Sequence, residues 1–342
     1  MRTNTRSAGK RITLTDSNST QARLLELLRS KPHDYISGER LSNDLNMSRT
    51  AIWKHINTLR KLGYQIEAIT SVGYKLLSSP RLLLPLEIRN GLKTTTIGRH
   101  IHWSYELAST NTLALDLAEQ GAEEGTVVLC EAQKHGRGRM KREWLSQAEA
   151  DIALSIILRP EFAPGHASGI TCISAISVVE ALEKSCQLKP AIKWPNDIMI
   201  HGKKAAGILT ELRAELDRIH HLIVGIGINV NSTRFPQELQ DKATSLCLEL
   251  QETVSRTKIV QRLLESFEFW YQTVCGLRPE RAFERWRELS CTLGRYVTVN
   301  LGDTTLHGTA SRMGLNGSLF VRLDSGEERE VLAGDVTMVN KI

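Results

Sequence analysis

The sequence predicts an α+β protein of several domains, because its hydrophobic pattern changes twice along 342 residues. Helical periodicity followed by an alternating hairpin fills residues 20–77, and mixed strands and helices fill residues 87–288. Short alternating strands with Gly-Asp, Asn-Gly and Ser-Gly turns fill residues 289–342 and predict a small SH3-like β-barrel. Residues 78–86 contain two prolines and are predicted to be a linker, and residues 1–19 a flexible basic tail.

The N-terminal block is predicted to be a winged helix-turn-helix. Three helices precede the hairpin, and Ser37 and Ser48 stand where they can cap the second and third. In the third helix, Ile52, Ile56 and Leu59 recur at helical spacing and predict a buried face. The opposite face would then be free to contact DNA.

That outward face carries side chains that can hydrogen-bond bases and phosphates. With one lysine of the hairpin, the candidate DNA-binding residues are Ser48, Arg49, Thr50, Trp53, Lys54, Asn57 and Lys75. In winged helices the third helix enters the major groove and the wing touches the backbone. A winged helix that only packs or mediates protein contacts stays open as an alternative.

An anion-binding loop is predicted in the stretch EAQKHGRGRMKREW, directly after an apolar strand. Glycine lets backbone amides approach a ligand closely, and arginine offers a planar fork of donors for phosphate or carboxylate oxygens. The loop is centred on Arg137, Gly138 and Arg139. A second basic centre is Lys204, which lies just past the tip of a predicted hairpin at His201-Gly202.

Other motifs of the central block are weaker. Ser109-Thr110-Asn111 stands at a helix start, where simple capping is the commoner reason for such residues. Gly225 and Gly227 lie inside a predicted strand, which excludes a dinucleotide fingerprint and favours close approach of a ligand or backbone. A P-loop, a kinase signature and a nucleophile elbow are all absent from the sequence. Two basic centres without a protein nucleophile suit chemistry in which charge develops on a phosphate.

Net charge, cysteine pattern and apolar segments indicate which partners, metal sites and cellular location to expect. The net charge of +6 fits a polyanionic partner such as DNA, and also an ordinary solvated surface. The six cysteines form no C-x-x-C pair and no cluster with histidine, so no metal-binding residues are predicted. No signal peptide and no apolar run of about eighteen residues is visible, so we expect a cytoplasmic protein with no membrane partner.

Five motifs, in order and at family-like spacing, resemble those of biotin protein ligases. They are STN at 109–111, GRGR at 136–139 followed by Trp144, KWPND at 193–197, GKKAAGIL at 202–209 and GIGINVN at 225–231. With the winged helix, nearly the whole chain is similar to the bifunctional type that also represses biotin-synthesis genes. The resemblance implies a class II synthetase-like biotin ligase fold for the central domain.

The resemblance also implies a two-step reaction. Biotin's carboxylate would attack the α-phosphate of ATP, with Mg²⁺ as cofactor, and biotinyl-5′-AMP would then acylate a lysine of the biotin carboxyl carrier protein. Because both first reactants are anionic, cations must neutralise them before they meet. Unspent adenylate would favour a homodimer that binds operator DNA, and the C-terminal barrel would either support ATP and carrier binding or act as a stabilising cap.

Site residues follow from the resemblance by position. The implied catalytic residues are Arg137, Arg139 and Lys204. Biotin binding is implied for Ser109, Thr110, Asn111, Gln133, Arg137, Gly138, Arg139 and Lys204. Nucleotide binding is implied for Arg139, Trp144, Lys193, Asn196, Asp197, Asn229 and Phe235.

One motif departs from the family pattern. The family often reads GRGRRGR, whereas Met140-Lys141 replaces the Arg-Gly step here. The missing glycine would stiffen the loop if that position needs a positive φ.

Alternative functions are a ligase without regulatory DNA binding, a non-enzymatic biotin-sensing repressor, and a lipoate ligase.

Overall fold

The computed structural model describes residues 20–215, 217–276, 278–314 and 316–339. The predicted tail, residues 1–19, lies outside the described residues. A helical unit with a hairpin, a central seven-stranded sheet with helices, and a five-stranded antiparallel sheet follow one another along the chain. The predicted α+β multidomain class is confirmed.

The N-terminal unit consists of three helices and a two-stranded antiparallel hairpin. Its elements are α1 (Thr20–Ser30), α2 (Gly38–Leu45), α3 (Arg49–Lys61), β1 (Gln65–Ile69) and β2 (Gly73–Ser78). Ser37 and Ser48 each accept a hydrogen bond from a backbone N–H three residues on, at 3.2 Å, so both cap their helices as predicted. Ile52, Ile56 and Leu59 are fully buried, which confirms the predicted inward face of α3.

The segment between the first two units is shorter than the predicted linker of residues 78–86. Leu83 and Leu84 are fully buried, and α4 (Pro85–Arg89) follows them directly. The Leu83 N–H donates to Glu131 Oε1 at 2.7 Å, inside the central unit. Because burying these leucines is favourable, the second half of the stretch belongs to the central unit.

Glu87 of α4 joins the N-terminal unit to the central one. Arg29 of α1 forms an ion pair with its carboxylate. The Tyr64 hydroxyl donates to the same carboxylate at 2.6 Å. Burial raises the pKa of the Tyr64 hydroxyl, so this group stays a hydrogen-bond donor across the physiological range.

The central sheet has the strand order β3-β4-β5-β9-β8-β7-β6. Its strands are β3 (Ile101–Leu107), β4 (Val127–Gln133), β5 (Ile152–Leu158), β6 (Ala191–Lys193), β7 (Asp197–Ile200), β8 (Lys203–Ala214) and β9 (Ile219–Ile228). The β3–β4 pair is parallel and the other neighbours are antiparallel, so the sheet is mixed, as predicted. Every residue of β5 is buried, as expected for a central strand covered on both faces.

Helices cover both faces of this sheet. They are α5 (Thr110–Glu119), α6 (Ser168–Cys186), α7 (Leu246–Leu250), α8 (Arg256–Cys275) and α9 (Pro279–Leu289). The α5 helix packs on Val128, whereas the main core contains Val127 and Leu129. Since neighbouring residues of a strand point to opposite faces, α5 lies on the face away from the main core.

The helical segment Pro164–Cys186, which includes α6, is long and apolar enough to cross a membrane by length and composition. Most of its apolar window, 67%, is buried inside the protein. It packs against α8 and α9 and against the sheet. Such burial is typical of a central core helix.

The C-terminal unit has the strand order β13-β12-β11-β10-β14. Its strands are β10 (Tyr296–Asn300), β11 (Thr305–Met313), β12 (Leu319–Leu323), β13 (Glu328–Val331) and β14 (Asp335–Met338). The first four match the predicted alternating segments, and β14 was not predicted. The last strand pairs with the first, Val297 opposite Met338, which is consistent with an SH3-like barrel.

Candidate ligand site and DNA-binding face

A cavity of about 340 Å³ lies over β5, β8 and β9, beneath the loop that follows β4. Its wall draws on all five motifs. The predicted ligand-site residues that line it are Ser109, Thr110, Asn111, Gln133, Arg137, Gly138, Arg139, Trp144, Asn196, Asp197, Lys204, Asn229 and Phe235. Segments far apart in sequence thus meet in one place.

Lys193 is the predicted residue that the fold places elsewhere. It ends β6, opposite Asp197 of β7, and does not line the cavity. Its charge acts on the Cys291 thiol, whose pKa is raised by burial and lowered in part by Lys193. Ile192, the preceding residue of β6, is fully buried, so the Lys193 side chain points to the opposite face of the strand. Its contact with a nucleotide stays a prediction.

One end of the cavity is polar and buried. Ser109 precedes α5, and its side chain makes no capping hydrogen bond, so capping does not explain it. Thr110 N–H donates to Gln133 Oε1 at 2.9 Å, which ties the helix start to the end of β4. Ser109, Thr110 and Asn111 are 3–4% exposed, so their polar atoms face the cavity or each other.

Gly225 and Gly227 of β9 make room for two neighbouring side chains. A Cβ on Gly225 would stand 2.1 Å from Asn111 Oδ1, and one on Gly227 would stand 2.3 Å from Trp144 Cε2. Both distances are far below van der Waals contact, so only glycine fits. The predicted close approach is made by side chains of the chain itself.

The loop after β4 folds back on itself. Gly138 N–H donates to Arg142 O at 2.7 Å, and Trp144 N–H donates to Gly136 O at 2.9 Å. Met140 and Lys141 adopt φ of 54° and 60°, in the left-handed region. The position that departs from the family's glycine therefore does need a positive φ, and a lysine holds it here.

The other end of the cavity is cationic. Arg139 donates to Asn196 Oδ1 at 3.0 Å, and burial lowers the pKa of its guanidinium, which stays charged all the same. Lys204 Nζ lies 2.5 Å from Asp197 Oδ1 and 5.4 Å from the centre of the Trp144 ring. These cations suit a phosphate or carboxylate ligand.

Sequence reasoning missed several residues of the site. Arg142 lines the cavity and forms an ion pair with Asp335 of β14. Arg142 belongs to the stretch EAQKHGRGRMKREW, and its position close after Arg139 could have identified it. Asp335 had no such signal, because its contact arises only when the C-terminal unit docks. Glu211 and Ser155 lie beside the site without belonging to any of the motifs.

The described residues contain no group of three or more His, Cys, Asp or Glu side chains that could hold a metal ion. Asp197 and Asp335 line the cavity, and each already faces a cation. Mg²⁺ commonly binds proteins through one or two carboxylates together with substrate phosphates. Asp197 and Asp335 are therefore carboxylates that could share a Mg²⁺ ion with nucleotide phosphates.

The outward face of α3 is exposed, as a DNA-binding face requires. Trp53 is 54% exposed, and Thr50 and Lys54 are exposed beside it. Arg49 forms an exposed ion pair with Glu39 of α2 at 3.2 Å, which a phosphate could displace. Three other candidates have partners within the unit: Ser48 caps α3, Asn57 accepts from Arg60 at 3.4 Å, and Lys75 stands 5.7 Å from the Tyr35 ring.

Comparisons with known proteins agree with these features. The model of the Biotin/lipoate A/B protein ligase family matches residues 103–229, and an HTH domain model matches residues 20–75. The "Bifunctional ligase/repressor BirA" of Bacillus subtilis (strain 168) is 39% identical over 319 residues, or 92% of this chain and 97% of that protein.

Two further relatives extend the comparison. The "Bifunctional ligase/repressor BirA" of Escherichia coli (strain K12) is 29% identical, covering 94% of this chain and 98% of that protein. A solved structure of biotin protein ligase from Aquifex aeolicus in complex with biotin and ATP aligns with a TM-score of 0.62 at 28% identity. That alignment covers 70% of this chain and 99% of the Aquifex chain.

Proposed function

We propose that this chain, which belongs to the family of bifunctional ligase/repressor proteins, activates biotin with ATP and transfers it to a lysine of the biotin carboxyl carrier protein. One observation carries the proposal. The cavity is polar and buried at the Ser109 end and cationic at the Arg139 and Lys204 end. Biotin has the same polarity, with a polar ring at one end and a carboxylate at the other.

In the first step the biotin carboxylate attacks the α-phosphorus of ATP, the new O–P bond forms, and pyrophosphate leaves. Two anions repel each other, so their approach requires fixed positive charge. Lys204 would contact the carboxylate and the α-phosphate, while Arg137 and Arg139 hold the phosphates. Before ligand arrives, Asp197 neutralises Lys204, so a phosphate that binds must compete with that carboxylate.

In the second step the carrier's lysine amine attacks the carbonyl carbon of biotinyl-5′-AMP, and AMP leaves as an amide bond forms. The mixed anhydride must be kept from water until the carrier arrives. The glycine-arginine loop would cover it, with Trp144 against the ligand and Asn196, Asn229 and Phe235 around the nucleotide. Mg²⁺, held by Asp197 or Asp335 with the phosphates, would supply further charge neutralisation.

Native mass spectrometry after incubation with biotin, ATP and Mg²⁺ tests the activation step. We expect a retained mass of biotinyl-5′-AMP, absent from Lys204→Ala and kept in Lys203→Ala, whose side chain bonds Gln240 O outside the cavity. Retained biotin without adenylate would instead support a biotin-sensing repressor. Adenylate formed only with lipoate in a parallel tube would overturn the substrate.

The winged helix-turn-helix makes operator binding the second function, because α3 presents an exposed polar face. We infer that the adenylate-bound protein dimerises in the cytoplasm and places two α3 helices on a palindromic operator. Lys54→Ala should weaken binding and reduce its salt dependence, whereas Lys93→Ala, an exposed change in the central unit, should do neither. Operator affinity that is the same with and without biotin and ATP would contradict this function.

A further inference from the structure

Glu211 of β8 contacts two parts of the site, the start of α5 and the glycine-arginine loop that follows β4. Its Oε2 accepts a hydrogen bond from Asn111 Nδ2, and its Oε1 accepts one from Arg137 Nη2, each at 2.7 Å. The Glu211 side chain is 21% exposed and Asn111 is 4% exposed. A carboxylate therefore joins the start of α5 to the glycine-arginine loop.

This contact fixes the orientation of the Asn111 amide. An ionised carboxylate can only accept hydrogen bonds, so Nδ2 must face Glu211 and Oδ1 must face the other way. Oδ1 lies 2.6 Å from the Ser155 hydroxyl. Gly225, which lies opposite Ser155 in the sheet, leaves the space that the amide occupies.

The fixed amide in turn sets the direction of two hydroxyl protons. Ser155 Oγ lies near Asn111 Oδ1 and 2.8 Å from Thr110 Oγ1, but it has a single proton. Since Oδ1 can only accept, that proton goes to Asn111. The 2.8 Å contact between the two hydroxyls therefore takes its proton from Thr110, whose other acceptor, Gln133 Oε1, lies farther off at 3.3 Å. With its proton held inside the protein, Thr110 Oγ1 has only lone pairs for any further partner.

Gln133, which lies beside Thr110, presents a hydrogen-bond donor where Thr110 presents an acceptor. Thr110 N–H holds Gln133 Oε1, so Gln133 Nε2 is turned the other way, beside Gly136. Both residues line the cavity. The polar end therefore offers an acceptor on Thr110 and a donor on Gln133, which matches the adjacent N–H and C=O groups of a cyclic urea.

We propose that Glu211 is a positioning and specificity residue, which acts through Asn111 and Ser155 to make Thr110 an acceptor for a ring N–H. The proposal rests on the proposed function, because the cyclic urea is that of biotin. Glu211 itself does not line the cavity over the sheet and acts on ligand selection through the relay. Its contact with Arg137 adds a link between ring binding and the loop.

Isothermal titration with biotin and with two cyclic carbamates, in which one or the other ureido N–H is replaced by a ring oxygen, tests the relay. The replacement preserves shape and turns a donor into an acceptor. Wild-type protein should bind one carbamate about a hundredfold more weakly than biotin, because its ring oxygen would face Thr110 Oγ1 and both atoms would be acceptors. In Glu211→Met and in Ser155→Ala the ratio of the carbamate Kd to the biotin Kd should fall at least about tenfold, because the Thr110 proton then keeps only the longer contact with Gln133 Oε1 and can turn to the ring oxygen.

Ser155→Ala leaves the Arg137 contact intact, so it separates the relay from the loop. Glu119→Met is the matched control, because Glu119 is an exposed carboxylate paired with Arg213 of the same strand β8. It should keep the wild-type ratio. If Glu211→Met and Ser155→Ala weaken biotin and carbamate equally, the residues are only structural and the proposal fails. Wild-type protein that binds no biotin would instead refute the proposed function.

Discussion

Replacing Arg256 with methionine should destabilise the central unit by about 3 kcal/mol, because it leaves a buried carboxylate unpaired. Arg256 Nη2 lies 2.8 Å from Glu131 Oε2, and the two side chains are 3% and 0% exposed. Breaking a buried pair by removing one partner typically costs about 3–5 kcal/mol. The lower end applies because Glu131 keeps hydrogen bonds from Leu83 N–H and from Trp103 Nε1.

The same change should loosen the connection to the DNA-binding unit. Arg256 also donates to Asp151 O and to Arg81 O, each at 3.0 Å, and Arg81 lies in the segment between the units. Urea unfolding of Arg256→Met, Glu131→Gln and the double variant measures the pair. We expect the double variant to be at least about 1.5 kcal/mol more stable than the sum of the single losses predicts. Trypsin should cleave faster near Arg81 in Arg256→Met.

The control is an exposed pair of the same chemistry. Arg213 and Glu119 are 61% and 53% exposed, so Arg213→Met should cost less than about 1 kcal/mol. Additive losses in the double variant would refute the reasoning. So would an Arg256→Met protein as stable as the Arg213→Met protein.

Three other outcomes follow from single positions. Gly227→Ala should push the Trp144 indole aside, cost about 1–3 kcal/mol and weaken biotin binding in a titration, because the new Cβ would lie 2.3 Å from the ring. Lys141→Gly should relieve about 1 kcal/mol of strain at φ 60° and change the rate of adenylate escape in a chase experiment. Burial lowers the pKa of His102 and His221 below 6.5, so the unfolded state takes up protons first and stability is lost as the pH falls below 6.5.

Each of these has its own check. Gly165→Ala introduces a Cβ into open space and should leave biotin binding unchanged. An unchanged adenylate off-rate in Lys141→Gly would mean that this backbone strain does not control the loop. His102→Gln should flatten the fall of the unfolding free energy as the pH drops below 6.5, and a curve identical to wild type would contradict the lowered pKa of His102.

The sequence was sufficient where local chemistry decides structure. The caps at Ser37 and Ser48, the buried stripe of α3 and the hairpin tip at His201-Gly202 all depend on residues close in the chain, and each was confirmed. The motifs that line the cavity were also visible, because the residues of each motif stand next to one another in the chain. Lys193 shows a limit of motif-based prediction, because it belongs to the KWPND motif and yet does not line the cavity that Asn196 and Asp197 of the same motif line.

Ser155 and Glu211, which lie behind the cavity wall, could not be predicted, because only the register of the sheet brings them together. Ser155 of β5 and Leu209 of β8 both lie opposite Gly225, so Glu211 stands two residues further along its strand. A shift of one residue in either pairing would turn Ser155 or Glu211 to the other face and break the relay. Register follows from the packing of the whole apolar sheet, so the polarity of Thr110 depends on residues that carry no motif.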